Sequence, residues 1–234
     1  MNILIAGGAG FIGLNLAEAI LRSGEHVVIY DPGAVPGAAQ RTFDDLPGSW
    51  CHIQESVIDS GALASTLTEQ RIDQVFYGAA VTSGPERERD TPESVLSVNL
   101  VGLATVAKLA AKAGIRRLIN LSSGSAYGLP DGDESDWPPT LHEEHTRERP
   151  VSLYALSKFA TEITTRRIAA LTGLDALSVR LSSIFGPWER DTGFRDTLSA
   201  PLQASVAAQR GEPVILERHE SRDWTYSRDV ADAL

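Results

Sequence analysis

A glycine run set between a short apolar stretch and a helical pattern constrains this chain more than any other feature. Ile3-Leu4-Ile5-Ala6 has strand character, Gly7-Gly8-Ala9-Gly10-Phe11-Ile12-Gly13 follows at once, and helical periodicity opens at Phe11. Gly7, Gly10 and Gly13 stand at G-x-x-G-x-x-G spacing. The first permits a tight turn, the second lets backbone approach a pyrophosphate, and the third allows close helix–strand packing. The helix start then points free N–H groups at the phosphates. Strand, spacing and helix in that order predict a dinucleotide site contacted by Gly7, Gly10, Phe11, Ile12 and Gly13.

The rest of the chain continues the alternation. Apolar runs predict strands at 2–6, 26–30, 51–54, 74–78, 117–121, 176–181 and 213–216. Longer periodic patterns predict helices at 11–23, 61–69, 92–113, 152–172, 195–210 and 227–234. Together they imply an α/β fold: a doubly wound parallel, Rossmann-like sheet of order 3-2-1-4-5-6 with room for a seventh strand. The helix at 92–113 is expected to open on Thr91 as cap, with Pro92 in first position, and to stop at a left-handed Gly114. Loops are expected at 31–49, 82–91, 128–150 and 186–194. Residues 1–180 read as the dinucleotide-binding domain, and 181–234 as part of a small substrate-binding region interleaved with the last sheet elements. The sequence stops at Leu234 inside a helical pattern, so that region is expected to be incomplete.

Composition narrows the partners. Net charge is −10, from 21 basic against 31 acidic side chains, which repels phosphate backbones and argues against nucleic acid. Glycine loops bind a nucleotide without net positive charge, so that ligand class stays open. Cys51 is the single cysteine, which forbids an intrachain disulfide. Met1 leads straight into the first strand with no basic leader, and no apolar run is expected to approach the ~20 residues that span a bilayer. A cytoplasmic protein without membrane contact is the expectation. His142 and His145 are three apart, one short of the H-E-x-x-H zinc spacing, so no metal is expected. Cys51 reads as a small buried hydrophobe, and Glu86-Arg87-Glu88-Arg89-Asp90 as an exposed, salt-laced loop.

Two further features point to chemistry. Asp31 ends the second strand, where a carboxylate accepts from both ribose hydroxyls and repels a 2′-phosphate, so NAD is expected over NADP. The lesser alternative is that it caps its own turn with Pro32, and Arg41 in the following loop could fold back and soften the preference. Tyr154 and Lys158 lie four apart on a helical pattern, which brings both to one face. A free phenol titrates near pH ~10, and a cation about 4 Å away at an effective dielectric of ~20 favours phenolate by ~4 kcal/mol, or roughly three pK units. That is the shift a general base at neutral pH requires.

Taken with Phe76-Tyr77-Gly78-Ala79-Ala80, Val98-Asn99, Leu121-Ser122-Ser123-Gly124-Ser125-Ala126-Tyr127-Gly128, Arg180 through Pro187 and Arg222-Asp223-Trp224-Thr225-Tyr226, these motifs resemble the NAD-dependent epimerase/dehydratase branch of the extended short-chain dehydrogenase/reductase superfamily. The resemblance implies Ser123, Tyr154 and Lys158 as the catalytic set, with Ser122 and Ser125 as near alternatives to Ser123. It adds Val57, Ala79, Ala80, Asn99, Tyr154 and Lys158 to the cofactor contacts, and implies Thr82, Ser83, Ser125, Ser183, Arg190 and Arg222 toward substrate. Three places depart from the family pattern. Ser56-Val57 stands where the third-strand segment usually brings an aspartate to the adenine, with Asp59 displaced. Ser183 replaces an asparagine common in nucleotide-sugar members, and Gly124-Ser125 replaces the carboxylates a 4,6-dehydratase carries after its hydroxyl residue. The implied function is an NAD-dependent sugar or nucleotide-sugar epimerase working by transient hydride transfer. A net dehydrogenase of a sugar, sugar acid or other secondary alcohol is the first alternative, and a non-catalytic dinucleotide sensor the second. The helices at 92–113 and 152–172 form a dimer interface in relatives, so a homodimer is expected.

Overall fold

The computed structural model describes residues 1–128, 140–194, 198–214 and 223–234. Its centre is a six-stranded parallel sheet: β1 (Asn2–Ala6), β2 (His26–Tyr30), β3 (Ser49–Ile53), β4 (Gln74–Tyr77), β5 (Arg117–Ser123) and β6 (Ala176–Leu181). The strand order is β3-β2-β1-β4-β5-β6, as the alternation predicts. In β1, Ile3 is in register with both Val27 and Gln74, so this strand is covered on both edges.

The two-residue period of the strands sorts their side chains into two cores. Leu4, Val28 and Tyr30 face one layer, where α3 (Ser60–Glu69) and α6 (Leu103–Ala113) contribute Leu63, Leu67, Leu103 and Val106. Ile3, Ile5, Val27 and Ile29 face the other, against Leu14 and Leu21 of α1 (Phe11–Arg22) and Phe43 of α2 (Gly37–Asp44). A buried aliphatic side chain contributes about 1.5–3 kcal/mol. Continuous apolar strands such as Val27-Val28-Ile29 are what a sheet covered on both faces needs.

Several elements differ from expectation. α2 and α4 (Pro85–Asp90) occupy segments expected as loops. In α4, Pro85 takes the first turn, Glu86 and Glu88 sit at the positive end of the helix dipole, and Arg87 and Arg89 at the negative end. The expected helix 92–113 is three pieces: α5 (Pro92–Leu96), a π-helical turn at Ser97–Gly102, and α6. Thr91 stands at the cap position without a side-chain cap bond, and Gly114 closes α6 at φ 70°. The π turn has a tertiary cause. The Tyr77 hydroxyl donates to Val98 O at 2.5 Å, and a Cβ on Gly102 would stand 2.5 Å from that hydroxyl oxygen. As a unit, Pro92–Ala113 is 22 residues long and apolar enough by composition to cross a bilayer, contrary to the expectation of no such run. Its Leu103, Val106, Ala107 and Ala110 are core residues here.

Of the expected strand 213–216, residues 213 and 214 are in no strand, and 215 and 216 lie outside the described residues. A small parallel pair forms instead, β7 (Ser183–Phe185) with β8 (Trp224–Tyr226), Ile184 opposite Thr225. α8 (Ala200–Arg210) is capped by the Ser199 hydroxyl, and the expected residues 195–197 of this helix lie outside the described set. α9 (Ser227–Ala233) packs on α1, where Val230 meets Phe11 and Ile184.

Candidate active site

The glycine loop is compressed to the limit of backbone contact. Gly7 has φ 79°, and a Cβ there would lie 2.6 Å from Ala79 N. A Cβ on Gly13 would lie 2.4 Å from Gly7 O, so helix and loop touch backbone to backbone. Beside this loop runs a cleft of about 280 Å³, from Asp31 and Gly33 past Gly7 and Gly10 to Val81 and Val98. Val57, Ala79 and Ala80 also line it. Phe11, Ile12, Gly13, Asn99, Tyr154 and Lys158 are not among its lining residues. Phe11 turns instead into the small cluster with Ile184 and Val230.

Asp31 holds the far end. Its Oδ1 accepts from Gly33 N at 2.7 Å and its Oδ2 from Ala9 N at 3.1 Å. The carboxylate thus braces its own turn and the glycine loop while lining the cleft, and its remaining lone pairs suit hydroxyl donors. Burial raises its pKa above the ordinary carboxylate value, against the pull of the Gly33 and Ala9 amides. The cation at this end is not Arg41, which is exposed on α2. It is Arg190, expected toward substrate but placed against the glycine loop, where its Nη2 donates to Ala9 O at 2.7 Å. Asp59, displaced from the cleft, caps α3 by accepting from Gly61 N and Ala62 N.

The second half of the site gathers at the C-terminal end of β5, where open α/β sheets bind ligands. α7 (Leu153–Thr172) starts on Ser152, whose hydroxyl accepts from Ala155 N, and Glu88 Oε1 accepts from Leu153 N at 2.7 Å. Tyr154 lies in its first turn. Lys158 is 3% exposed, its Nζ donates to Leu121 O at 2.8 Å, and it stands 5.8 Å from the centre of the Tyr154 ring. Burial pulls the ammonium down to about 8. The three candidate serines separate. Ser122 donates to buried Glu162 Oε1 at 2.6 Å, behind the strand. Ser123 is half-buried, accepting from Ser125 N and from the Ser125 hydroxyl at 2.9 Å, in a 3-10 turn (Gly124–Tyr127) that packs on α7.

The buried face of α7 is polar: Ser157, Lys158, Thr161, Glu162 and Thr165. Each of the first four has an assigned partner, as buried polar groups require. Asn99, fully buried in the π turn, donates to Ser157 Oγ at 2.9 Å and exchanges amide bonds with Val81 of the cleft wall. Asn120 donates to Thr161 Oγ1. Glu162 takes Arg180 Nε at 2.9 Å and Nη2 at 2.7 Å, and Arg180 continues to Glu148 at 2.6 Å and lies 4.3 Å over the Tyr127 ring. The Glu162 hydrogen bond raises Arg180 above the usual guanidinium value. Asn99 therefore ties the cleft wall at Val81 to the helix of Tyr154 and Lys158.

Among the other expected substrate residues, Thr82 bonds Phe194 O through its amide at 3.0 Å, bridging two loops at the cleft mouth. Ser83 donates to Glu88. Ser183 pairs with Trp224 in the small sheet, and Arg222 lies outside the described residues. Cys51 is half-buried against the core, with burial raising its thiol.

Fold and cleft together define a Rossmann-type dinucleotide-dependent enzyme. The chain belongs to the NAD dependent epimerase/dehydratase family, whose model matches residues 3–234. Its cofactor is the one that names the family, NAD. It is 28% identical to a UDP-glucose 4-epimerase of Mycolicibacterium smegmatis over 234 residues, covering all of this chain and 72% of the relative. It is 27% identical to an Escherichia coli dTDP-glucose 4,6-dehydratase, covering all of this chain and 67% of the relative. The Thermotoga maritima UDP-glucose 4-epimerase solved with UDP-glucose superposes with TM-score 0.84 at 25% identity, over all of this chain and 72% of that one. The site fits the cofactor: the glycine cradle leaves backbone open to a ligand, and Asp31 offers acceptors. The buried Arg190 Nη1 has no hydrogen-bond partner among the described residues.

Proposed function

We propose that the chain is an NAD-dependent epimerase of a nucleotide-linked sugar, a UDP-sugar in particular, with Ser123, Tyr154 and Lys158 as its catalytic set. The observation that carries epimerisation over dehydration is the turn after Ser123. Gly124 and Ser125 follow that serine, and neither carries the carboxyl group that a dehydratase sets there for water elimination. Bound NAD supplies a reversible hydride acceptor. Tyr154 takes the proton of the sugar hydroxyl and returns it after the oxidised sugar has presented its other face. Lys158, lodged in low dielectric beside the ring, stabilises the phenolate. Ser123 donates to the sugar oxygen, with Ser125 fixing its rotamer. Val57, Ala79 and Ala80 give the dinucleotide an apolar wall, and Asn99 acts through Val81 and Ser157. Leu156 and Ile163 on α7 and Val101 in the π turn are exposed apolar side chains, which supports a homodimer through these helices.

The test is UDP-glucose or UDP-glucuronate incubated with the purified protein and no added NAD, followed by product analysis at C4. Interconversion of the C4 epimers is expected, and Tyr154→Phe should lower kcat by about 10²–10⁴ with NAD affinity unchanged. Product formation only with added NAD, accompanied by net NADH, would give the net dehydrogenase instead. Unchanged cell function in Tyr154→Phe would support the sensor.

A further inference from the structure

Arg190 reaches the cofactor cleft from a segment that is stapled to α1 at successive residues. Asn15 donates to Pro187 O at 2.9 Å, and Trp188 Nε1 donates to Glu18 Oε2 at 2.8 Å. Trp188 adopts a left-handed φ of 70°, a conformation uncommon for a bulky residue, while its ring packs edge-on against Phe43. Glu189 is buried on the Ser199 amide and hydroxyl. These contacts leave Arg190 at the glycine loop with one nitrogen on Ala9 O. Its Nη1 is buried and has no hydrogen-bond partner among the described residues. No ion pair joins Arg190 to Asp31 among the described residues, although the carboxylate lies close enough to favour the charged guanidinium. A guanidinium N–H shielded from water and left without an acceptor is costly, and of the buried polar atoms without a partner among the described residues this is the one whose residue lines the cleft, where a ligand acceptor would relieve it.

The ligand group follows from the surroundings. Arg190 is the only basic side chain lining the cleft among the described residues, in a chain of net charge −10. Asp31 stands at the ribose end, where its charge opposes a 2′-phosphate. The guanidinium is anchored on the loop whose backbone approaches the diphosphate. We propose that Arg190 is a diphosphate ligand of the cofactor, a latch from the C-terminal segment that slows dinucleotide release between turnovers. This rests on the reading of the cleft as the NAD site.

Calorimetric titration of nucleotide-stripped protein with NAD, ADP and adenosine tests it. Arg190→Ala should weaken ADP and NAD by about 10- to 100-fold and adenosine by less than about 3-fold, and should raise the NAD dissociation rate. Arg190→Lys should recover part of the ADP loss, and it keeps the test open should the alanine variant unfold. Equal ADP affinity in wild type and Arg190→Ala overturns the proposal. An adenosine loss as large as the ADP loss overturns it too. Wild type that binds neither ADP nor NAD removes the cofactor reading itself, and the latch with it.

Discussion

The two βα units that build the site are held by opposite means. In β1–α1–β2 the helix meets the sheet by apolar and steric contact, Leu14 and Leu21 against Ile3, Ile5 and Val27 and glycine backbone pressed on backbone, while the buried polar Asn15 and Glu18 of α1 turn away to residues 187, 188, 227 and 228. In β5–α7–β6 the buried helix face is Ser157, Lys158, Thr161, Glu162 and Thr165, fastened by Asn99, Asn120, Ser122 and Arg180. Apolar contact is non-directional and tolerates small shifts. A buried polar network is directional, and losing one partner strands the others. The first kind of packing suits a loop that cradles a diphosphate. The second suits the proton-transfer role proposed for Tyr154, which needs one orientation, and it also ties Lys158 to Leu121 O.

Perturbing each half separates the two. Gly7→Val should be the most damaging change, since the left-handed backbone and the 2.6 Å approach to Ala79 N add up to about 3–5 kcal/mol of lost stability in urea unfolding. Glu162→Leu should cost about 3 kcal/mol by taking the main partner of half-buried Arg180, which keeps Glu148 and Tyr127, and the acceptor of Ser122. Lys158 predicts a pH signature. Its folded pKa is lowered, so the unfolded chain binds more protons between pH 8 and about 10.4, and its contribution to stability improves as pH rises through that window. The stability of wild type relative to Lys158→Met in the cofactor-free protein should therefore grow by about 2 kcal/mol from pH 8 to pH 10. A constant difference would mean the ammonium is not desolvated. The smallest and most discriminating pair is serine by serine. Ser122→Ala should lose about 1–2 kcal/mol of stability with kcat within a few-fold, and Ser123→Ala should do the reverse, losing turnover with under about 0.5 kcal/mol of stability. The same loss in both variants would erase the distinction drawn between the two serines.

The apolar half was the legible one. Parallel strands buried on both faces read as continuous apolar runs, so β1, β2 and β4 to β6 are found close to their bounds, and the glycine spacing marks the turn between β1 and α1. The three-residue strands β7 and β8 are too short to carry a period, and α2 and α4 are rich in the small and charged residues that loops share. The π turn depends on Tyr77 meeting Val98 across 21 residues, which no local pattern contains. Two signals were present and unread. Ser122 and Ser123 are neighbours on a strand, so alternation alone sends them to opposite faces. Polar residues at 157, 158, 161, 162 and 165 stand at helical spacing where a core helix would be apolar, and that stripe marks α7 as a working helix. Arg190 carries no such mark, because its approach to Ala9 is made only by the tertiary fold.

The most direct test of the whole account is to denature the purified protein and identify the nucleotide it releases. NAD at about one per chain is the expected result, because an epimerase that recycles its cofactor in place has no need to exchange it. An empty site that binds NAD reversibly would move the function toward the net dehydrogenase. A protein that carries no dinucleotide and binds neither NAD nor NADP would contradict the reading of Gly7 through Gly13, and with it the roles given to Tyr154, Lys158 and Arg190.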